Sequence, residues 1–301
     1  SSYGSAIPRL YGRTRVAGTV IWATDLREER TRVSQGKGRP KATVYSYSAS
    51  FAVLLSGRRI ANVGRIWADG KLLRGAAGDF KIETGFRFHA GTPDQPADPL
   101  IASAEGLAAP AYRGRAYAVF EDMALESFGN RIPMLTFEVF ADHGPVDAGG
   151  IIEDLAGPAV VAQGGLSFDG YVADGGSVAA AIDLLAGTSD GQWRDSGGDI
   201  RLSPPQLPPF TIAERDLGAG VERRMPAARL SSRAPAASLP TRVEIGFADP
   251  ARDYLAGLQV MDLQTEGRVH RLDLPAVIGA ALAVALARDR LFVLRRDALS
   301  L

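Results

Sequence analysis

Residues 41–55 constrain this chain more than any other segment. They read Lys-Ala-Thr-Val-Tyr-Ser-Tyr-Ser-Ala-Ser-Phe-Ala-Val-Leu-Leu and alternate for much of their length. Val44, Ser46, Ser48 and Ser50 fall on one face, and Tyr45, Tyr47, Phe51 and Val53 on the other. Side chains along a strand point to alternate faces, so a period of two marks a half-buried β-strand. Other strand signals surround this run. Residues 15–22 are β-branched and aromatic, ending on Ile21-Trp22. Residues 60–67, 116–120 and 134–140 read as three more strands. Asp69-Gly70 supplies the positive φ of a tight hairpin turn before Leu72-Leu73. Between these runs, residues 90–110 read as loop, with Pro93, Pro96, Pro99 and Pro110. Residues 27–39 read as a polar, flexible excursion through Gln35-Gly36-Lys37-Gly38-Arg39-Pro40.

The pattern changes after residue 145. Residues 149–156 read as a short helix, and Ser177 caps a second over residues 178–185 by accepting from a free amide. Residues 193–202 read as a hairpin turning at Ser196-Gly197-Gly198-Asp199. Pro204-Pro205-Gln206-Leu207-Pro208-Pro209 punctuates the chain. Beyond it, residues 241–247 alternate cleanly and residues 269–274 form another strand. Pro275 suits the first turn of a helix, which would carry Val277, Leu282, Val284, Leu286 and Leu291. The class expected is mainly β with α+β parts. Three domains are expected: 1–145, strand-rich; 146–205, small and α+β; and 206–301, strands with a C-terminal helix.

Composition bounds the chemistry. The 301 residues balance 34 basic against 34 acidic side chains, for a formal net charge of zero. A neutral chain exerts no long-range pull on nucleic acid or anionic membrane. There is no cysteine, which removes disulfides, thiolate metal sites and cysteine nucleophiles. Residues 274–294 are the most apolar stretch, but Arg288, Asp289 and Arg290 interrupt it before it reaches the ~18 residues of a membrane span. The ends, Ser1-Ser2-Tyr3-Gly4 and Leu299-Ser300-Leu301, read like cuts in a longer protein.

Motifs for catalysis are missing. His89, His143 and His270 stand apart, so no HExxH-type metal face exists. Glu121, Asp122, Glu126, Asp249 and Asp253 read as turn and surface acids, with an internal Asp–Arg pair possible across residues 249–253. Gly164-Gly165 and Asp174-Gly175-Gly176-Ser177 lack phosphate-cradle spacing, and no GxSxG elbow occurs. Trp22, Tyr45, Tyr47, Trp67, Phe86 and Phe88 sit on strands as core or interface residues. No catalytic, cofactor-binding or metal-ligating residue is assigned, and no cofactor.

Several peptides resemble one family in order along the chain. They are Ile7-Pro8-Arg9-Leu10-Tyr11-Gly12-Arg13-Thr14-Arg15-Val16-Ala17-Gly18; Gly64-Arg65-Ile66-Trp67-Ala68-Asp69-Gly70-Lys71; and Ala109-Pro110-Ala111-Tyr112-Arg113-Gly114-Arg115-Ala116-Tyr117. Phe120-Glu121-Asp122, Phe128-Gly129-Asn130-Arg131-Ile132-Pro133, Leu239-Pro240 and Asp249-Pro250-Ala251-Arg252-Asp253-Tyr254, with Gln259, continue the series. Together they resemble the tail-tip hub region of phage tail proteins and of the large tail-tip protein of gene transfer agents. The resemblance implies two small tube-like β-barrel hub domains flanking a mixed middle domain. It implies a homotrimeric ring at the tail tip that joins the tube to the tip. The implied partners are the distal tail protein, other baseplate proteins, and the tail tube or tape measure protein. DNA would pass without specific binding, no segment would span a membrane, and assembly in the bacterial cytoplasm would place the chain in the virion. The alternatives are a cell-wall hydrolase domain or a receptor- or carbohydrate-binding module. Within the resembling peptides, Gly114 and Gly129 read as turn glycines, and Arg113 and Arg131 as local partners of carboxylates.

Overall fold

The computed structural model describes residues 6–33, 42–158, 160–162, 164–188, 192–196, 199–203, 230–232, 235, 238–295 and 298–300. The Gln35–Pro40 excursion, the Gly197-Gly198 turn and the Pro204–Pro209 boundary lie outside the described residues. Strands β1 (Arg9–Ala17), β2 (Thr19–Ala23), β3 (Arg27–Val33), β4 (Ala42–Ser56), β5 (Asn62–Ala68), β6 (Lys71–Arg74) and β7 (Gly85–His89) come first. Helix α1 (Pro99–Glu105), β8 (Ala116–Ala124), β9 (Leu135–Phe140), β10 (Val146–Asp147) and α2 (Ala148–Ala156) follow. Then come β11 (Val160–Ala162), β12 (Ser167–Phe168), β13 (Gly170–Ala173), α3 (Val178–Ala186), β14 (Gln192–Ser196) and β15 (Asp199–Ser203). The chain closes with β16 (Leu230–Ser232), β17 (Pro240–Asp249), β18 (Leu255–Asp262), β19 (Arg268–Val277), α4 (Ala280–Leu294) and β20 (Ala298–Ser300). The mainly β class holds. The sheets are open: among the described residues no sheet closes into the barrel that the resemblance implied.

The chain forms two compact units, residues 1–146 with 169–176, and residues 147–168 with 177–301. In the first unit five strands pair in the order β13-β1-β9-β5-β6 and four in the order β2-β4-β8-β7. The long β4 carries β8 on one edge and β2 then β3 along the other. Thus residues 27–33, read as part of a flexible excursion, are a strand, paired from Arg27–Ser48 to Val33–Ala42. The alternating β4 recruited them, and Arg27, Glu28, Glu29 and Arg30 sit on exposed positions where their charges cost little.

The two sheets of this unit meet through one core. Phe51, Val53 and Phe120 from one sheet pack with Val63, Ile66, Phe137 and Val139 from the other, all nearly or fully buried. Phe120 stacks on Phe51 at 5.0 Å between ring centroids and reaches Phe137 at 6.2 Å. The far face of β8 is covered as well: Tyr117, Val119 and Ala52 pack against Ile101 of α1. That helix lies within the stretch read as loop. Asp98 accepts from the Leu100 amide and Pro99 occupies the first helical position, which is the helix-start signature the proline count obscured.

The single strand expected over residues 15–22 is two. At Gly18 the chain leaves β9 and joins β4. A Cβ on Gly18 would sit 2.2 Å from Val53 Cγ1 and 2.7 Å from Phe137, so only glycine turns this corner. Asp69 and Gly70 have φ of 47° and 81°, as the hairpin turn requires.

In the second unit β17 pairs antiparallel with β18 and parallel with β19. Helix α4 packs on this sheet, and Val243, Ile245, Phe247, Ala283, Ala287 and Leu291 are buried. Pro275 does not open the helix. It lies in β19, between the pairs Gly246–Asp273 and Ala248–Val277, where the register shifts. A residue without an N–H is tolerated where the ladder is already interrupted. The helix begins after Gly279 instead. Helix α2, the Ser177 cap of α3 and the β14–β15 hairpin stand where the sequence put them.

Removing the ring that links both sheets should be severe. Phe120→Ala is expected to destabilise the chain by about 4 kcal/mol, read as a lower urea midpoint.

Candidate functional site

The richest cluster of polar side chains in the first unit surrounds Asp98. Its side chain is fully buried. Arg87 grips it with two hydrogen bonds, Nε to Oδ2 at 2.8 Å and Nη2 to Oδ1 at 3.0 Å. His89 Nε2 lies 2.8 Å from Oδ2, and because a carboxylate only accepts, the imidazole donates. The Leu100 amide donates at 2.9 Å. Burial works to raise the Asp98 carboxyl, but the bonds from Arg87, His89 and Leu100 overcome it and hold it at about 2. Arg87 also bonds Glu121, and its own pKa is raised, first by Asp98. The His89 ring stacks on Tyr117 at 4.4 Å.

Gln95, also buried, governs the adjoining loop. Its Oε1 accepts from the Gly91 amide at 2.9 Å. Its Nε2 lies 3.0, 2.7 and 3.1 Å from the carbonyls of Ala111, Tyr112 and Arg115. This clamp bends the most family-like peptide, where Tyr112 and Gly114 take φ of 46° and 71°. Arg113 donates to the Gln95 carbonyl rather than to a carboxylate, at 3.4 Å. Arg131 does meet a carboxylate, Asp69 at 2.9 Å, but one distant in sequence. Gly129 and Asn130, with φ of 66° and 58°, are turn residues as read.

A second cluster lies on the face of β9 away from the core. Glu138 is buried, and both Arg13 of β1 and Arg65 of β5 bond it, Arg65 Nε at 2.9 Å. The Trp67 ring lies beneath two guanidinium groups, Arg15 at 3.8 Å and Arg65 at 4.9 Å from its centroid. Arg58 clamps Asp142 with two bonds of 2.9 and 3.0 Å and also donates to the Leu10 carbonyl. These acids are saturated by donors, so they lock strands and turns in place.

The remaining residues singled out in the sequence stay dispersed. Glu121 joins the Asp98 cluster, whereas Asp122 sits at a φ of 47° and Glu126 starts a 3-10 turn. Asp249 shapes its turn by accepting from the Ala251 amide at 2.9 Å. Among the described residues no group of three or more histidine and acidic side chains could hold a metal ion. No helix among the described residues is long and apolar enough to cross a membrane. His270 lies on β19, where burial lowers its pKa. In the second unit a cavity of about 430 Å³ opens between α3, α4 and the sheet, lined by Asp183, Trp193, Ile245, Leu272, Leu286 and Arg290 among others. Arg87, Gln95, Asp98 and Glu138 escaped the sequence reading. Only Asp98 carried a signal, the Asp-Pro that starts α1.

Residues 177–299 match the model of a family described as putative phage tail protein. No curated protein matches the chain. Among solved structures, one of the virion of a native gene transfer agent particle is similar, with a TM-score of 0.80 and 26% identity over 99% of this chain and 75% of that one. The resemblance to phage tail and gene transfer agent proteins read from the peptides is thereby borne out.

Asp98→Asn should cost about 3 kcal/mol, because it removes one of the two acids that hold the partly buried Arg87 guanidinium and breaks the ion pair at the buried Asp98 position. Since the folded pKa is depressed, the stability Asp98 adds is complete above ~4, its unfolded value, and fades as pH falls toward about 2. Urea titrations of wild type at pH 5 and 2.5 should show this loss, and Asp98→Asn should lose less. Gln95→Leu should cost about 3 kcal/mol by stranding the Gly91 amide and loop carbonyls, measured by thermal melting.

Proposed function

We propose that this chain, whose residues 177–299 match the model of a family described as putative phage tail protein, is a hub component of a tail tip in a phage or gene transfer agent. The observation that carries the proposal is the similarity to a virion component along 99% of the chain. The role is structural. Three copies form a ring that joins the tail tube to the tip, in contact with the distal tail protein and the tube or tape measure protein. The ring surrounds the path of DNA and is assembled in the bacterial cytoplasm before the virion leaves the cell.

Two physical features support this reading. The buried acids of the first unit spend their lone pairs on arginine and backbone donors, which favours rigidity over chemistry. The chain also carries no net charge. Affinity for DNA rises with the number of phosphates neutralised, and tight contacts would retard a passing duplex.

Particle imaging of tails purified with this protein tests the proposal. A three-fold ring coaxial with the tube is the expected result. A monomer at the tail periphery, or release of glycan fragments that one carboxylate substitution abolishes, would overturn it. Duplex DNA should show no measurable binding at physiological salt, as read by fluorescence anisotropy.

A further inference from the structure

Residues 91–115 leave the sheet after β7 and re-enter it at the start of β8, two strands that pair directly, His89 opposite Tyr117. The two ends of this excursion touch. A Cβ on Gly91 would sit 2.9 Å from the Ala116 amide nitrogen. Gly91 and Gly114 hold φ of 86° and 71°, a left-handed backbone that glycine adopts without strain.

The stretch closes on itself. Among the described residues its backbone–backbone hydrogen bonds all stay inside it, from Gln95 to Thr92, Ala102 to Asp98, Ala109 to Gly106, Gly114 to Thr92 and Arg115 to Tyr112. The Gln95 side chain staples the two limbs together at the neck, joining the Gly91 amide to the carbonyls of Ala111, Tyr112 and Arg115. Side chains make the ties to the rest of the unit. Asp98 accepts from Arg87 and His89, and Trp22 Nε1 donates to Glu105 at 3.0 Å. Ile101 packs on Ala52, Tyr117 and Val119, a small apolar patch distinct from the main core on the other face of the sheet. The Tyr112 ring meets Tyr117 edge-on at 5.2 Å.

We propose that residues 91–115 are a flap that swings as one body about the neck between Gly91 and Arg115, is latched shut by Asp98, and uncovers the outer face of β8 when it opens. Opening breaks no strand pairing and no backbone hydrogen bond. It costs only the latch, the Trp22–Glu105 bond and the small apolar patch, whereas unfolding the unit also dissolves the main core. Local openings of native proteins range in free energy from near zero to the global value, and they occur in contiguous units of this kind. The flap therefore opens far more often than the unit unfolds. Shut, it is rigid. Open, it presents Ala52, Tyr117 and Val119, which are otherwise fully buried. The device lies wholly within the first unit and stands or falls separately from the hub reading.

The chain has no cysteine, so single thiols report on single sites. Ala52→Cys places one beneath the flap, and Ala118→Cys places one on the opposite face of the same sheet, in the main core. In the full chain under native conditions, a thiol reagent should label the Ala52→Cys variant ~100-fold faster than Ala118→Cys. The faster rate should barely change in low urea, because flap opening exposes little surface. Adding Asp98→Asn should speed labelling of Ala52→Cys by ~100-fold. Val139→Ala, a truncation in the main core, should speed labelling of Ala118→Cys and leave Ala52→Cys unchanged. Equal labelling rates for the two thiols, or equal acceleration of both by Val139→Ala, would overturn the proposal, because the stretch would then open only with the whole unit. An Ala52→Cys rate untouched by Asp98→Asn would overturn it too, because the latch would lie elsewhere.

Discussion

Residues 116–120 of β8, Ala-Tyr-Ala-Val-Phe, are fully buried, and that constraint organises the first unit. A strand without an exposed face needs a layer on each side. Phe137 and its neighbours form one layer, and Ile101 of α1 forms the other. Helix α1 must then begin against the sheet, which buries the Asp98 carboxylate at its start. A buried charge is tolerable only when paired and hydrogen-bonded. The strand beside β8 supplies the partners, Arg87 and His89, two positions apart on one face of β7. The ion cluster is therefore a consequence of covering β8 twice.

Period and turn chemistry made much of the fold legible. The alternation of residues 41–55, the Asp69-Gly70 turn and the Ser177 cap are local signals, and each produced its element. What escaped depended on distance. Nothing within residues 27–33 announces a strand, because β4 imposes the pairing from outside. Gly18 reads as an ordinary glycine until Val53 and Phe137 crowd it from remote strands. Pro275 looked like a helix start because a register shift that accommodates proline is invisible in one dimension. The candidate site was less legible still. Gln95 sits amid prolines, and its value as a clamp arises from four groups up to 20 residues away.

The basic residues are unevenly chosen. Lys37, Lys41, Lys71 and Lys81 are the only lysines, so arginine supplies the other thirty of the 34. The reason is visible where acids are buried. A planar guanidinium can bond two oxygens at once and also lie over an aromatic ring, and a lysine ammonium cannot match both. Arg65 does both, holding Glu138 while covering Trp67.

The first unit is interrupted: its chain departs after residue 146 and returns at residues 169–176. Strand β1 pairs β13 from Arg9–Ala173 to Gly12–Gly170, partners 158 to 164 positions apart. At ribosomal speeds of ~5–20 residues per second, β1 emerges on the order of ten seconds before its neighbour exists. During that interval β1 can have β9 on one side and nothing on the other. Pairing across such a span is intrinsically slow. The nascent chain is therefore most exposed to misassociation midway through synthesis, when chaperones can still reach it.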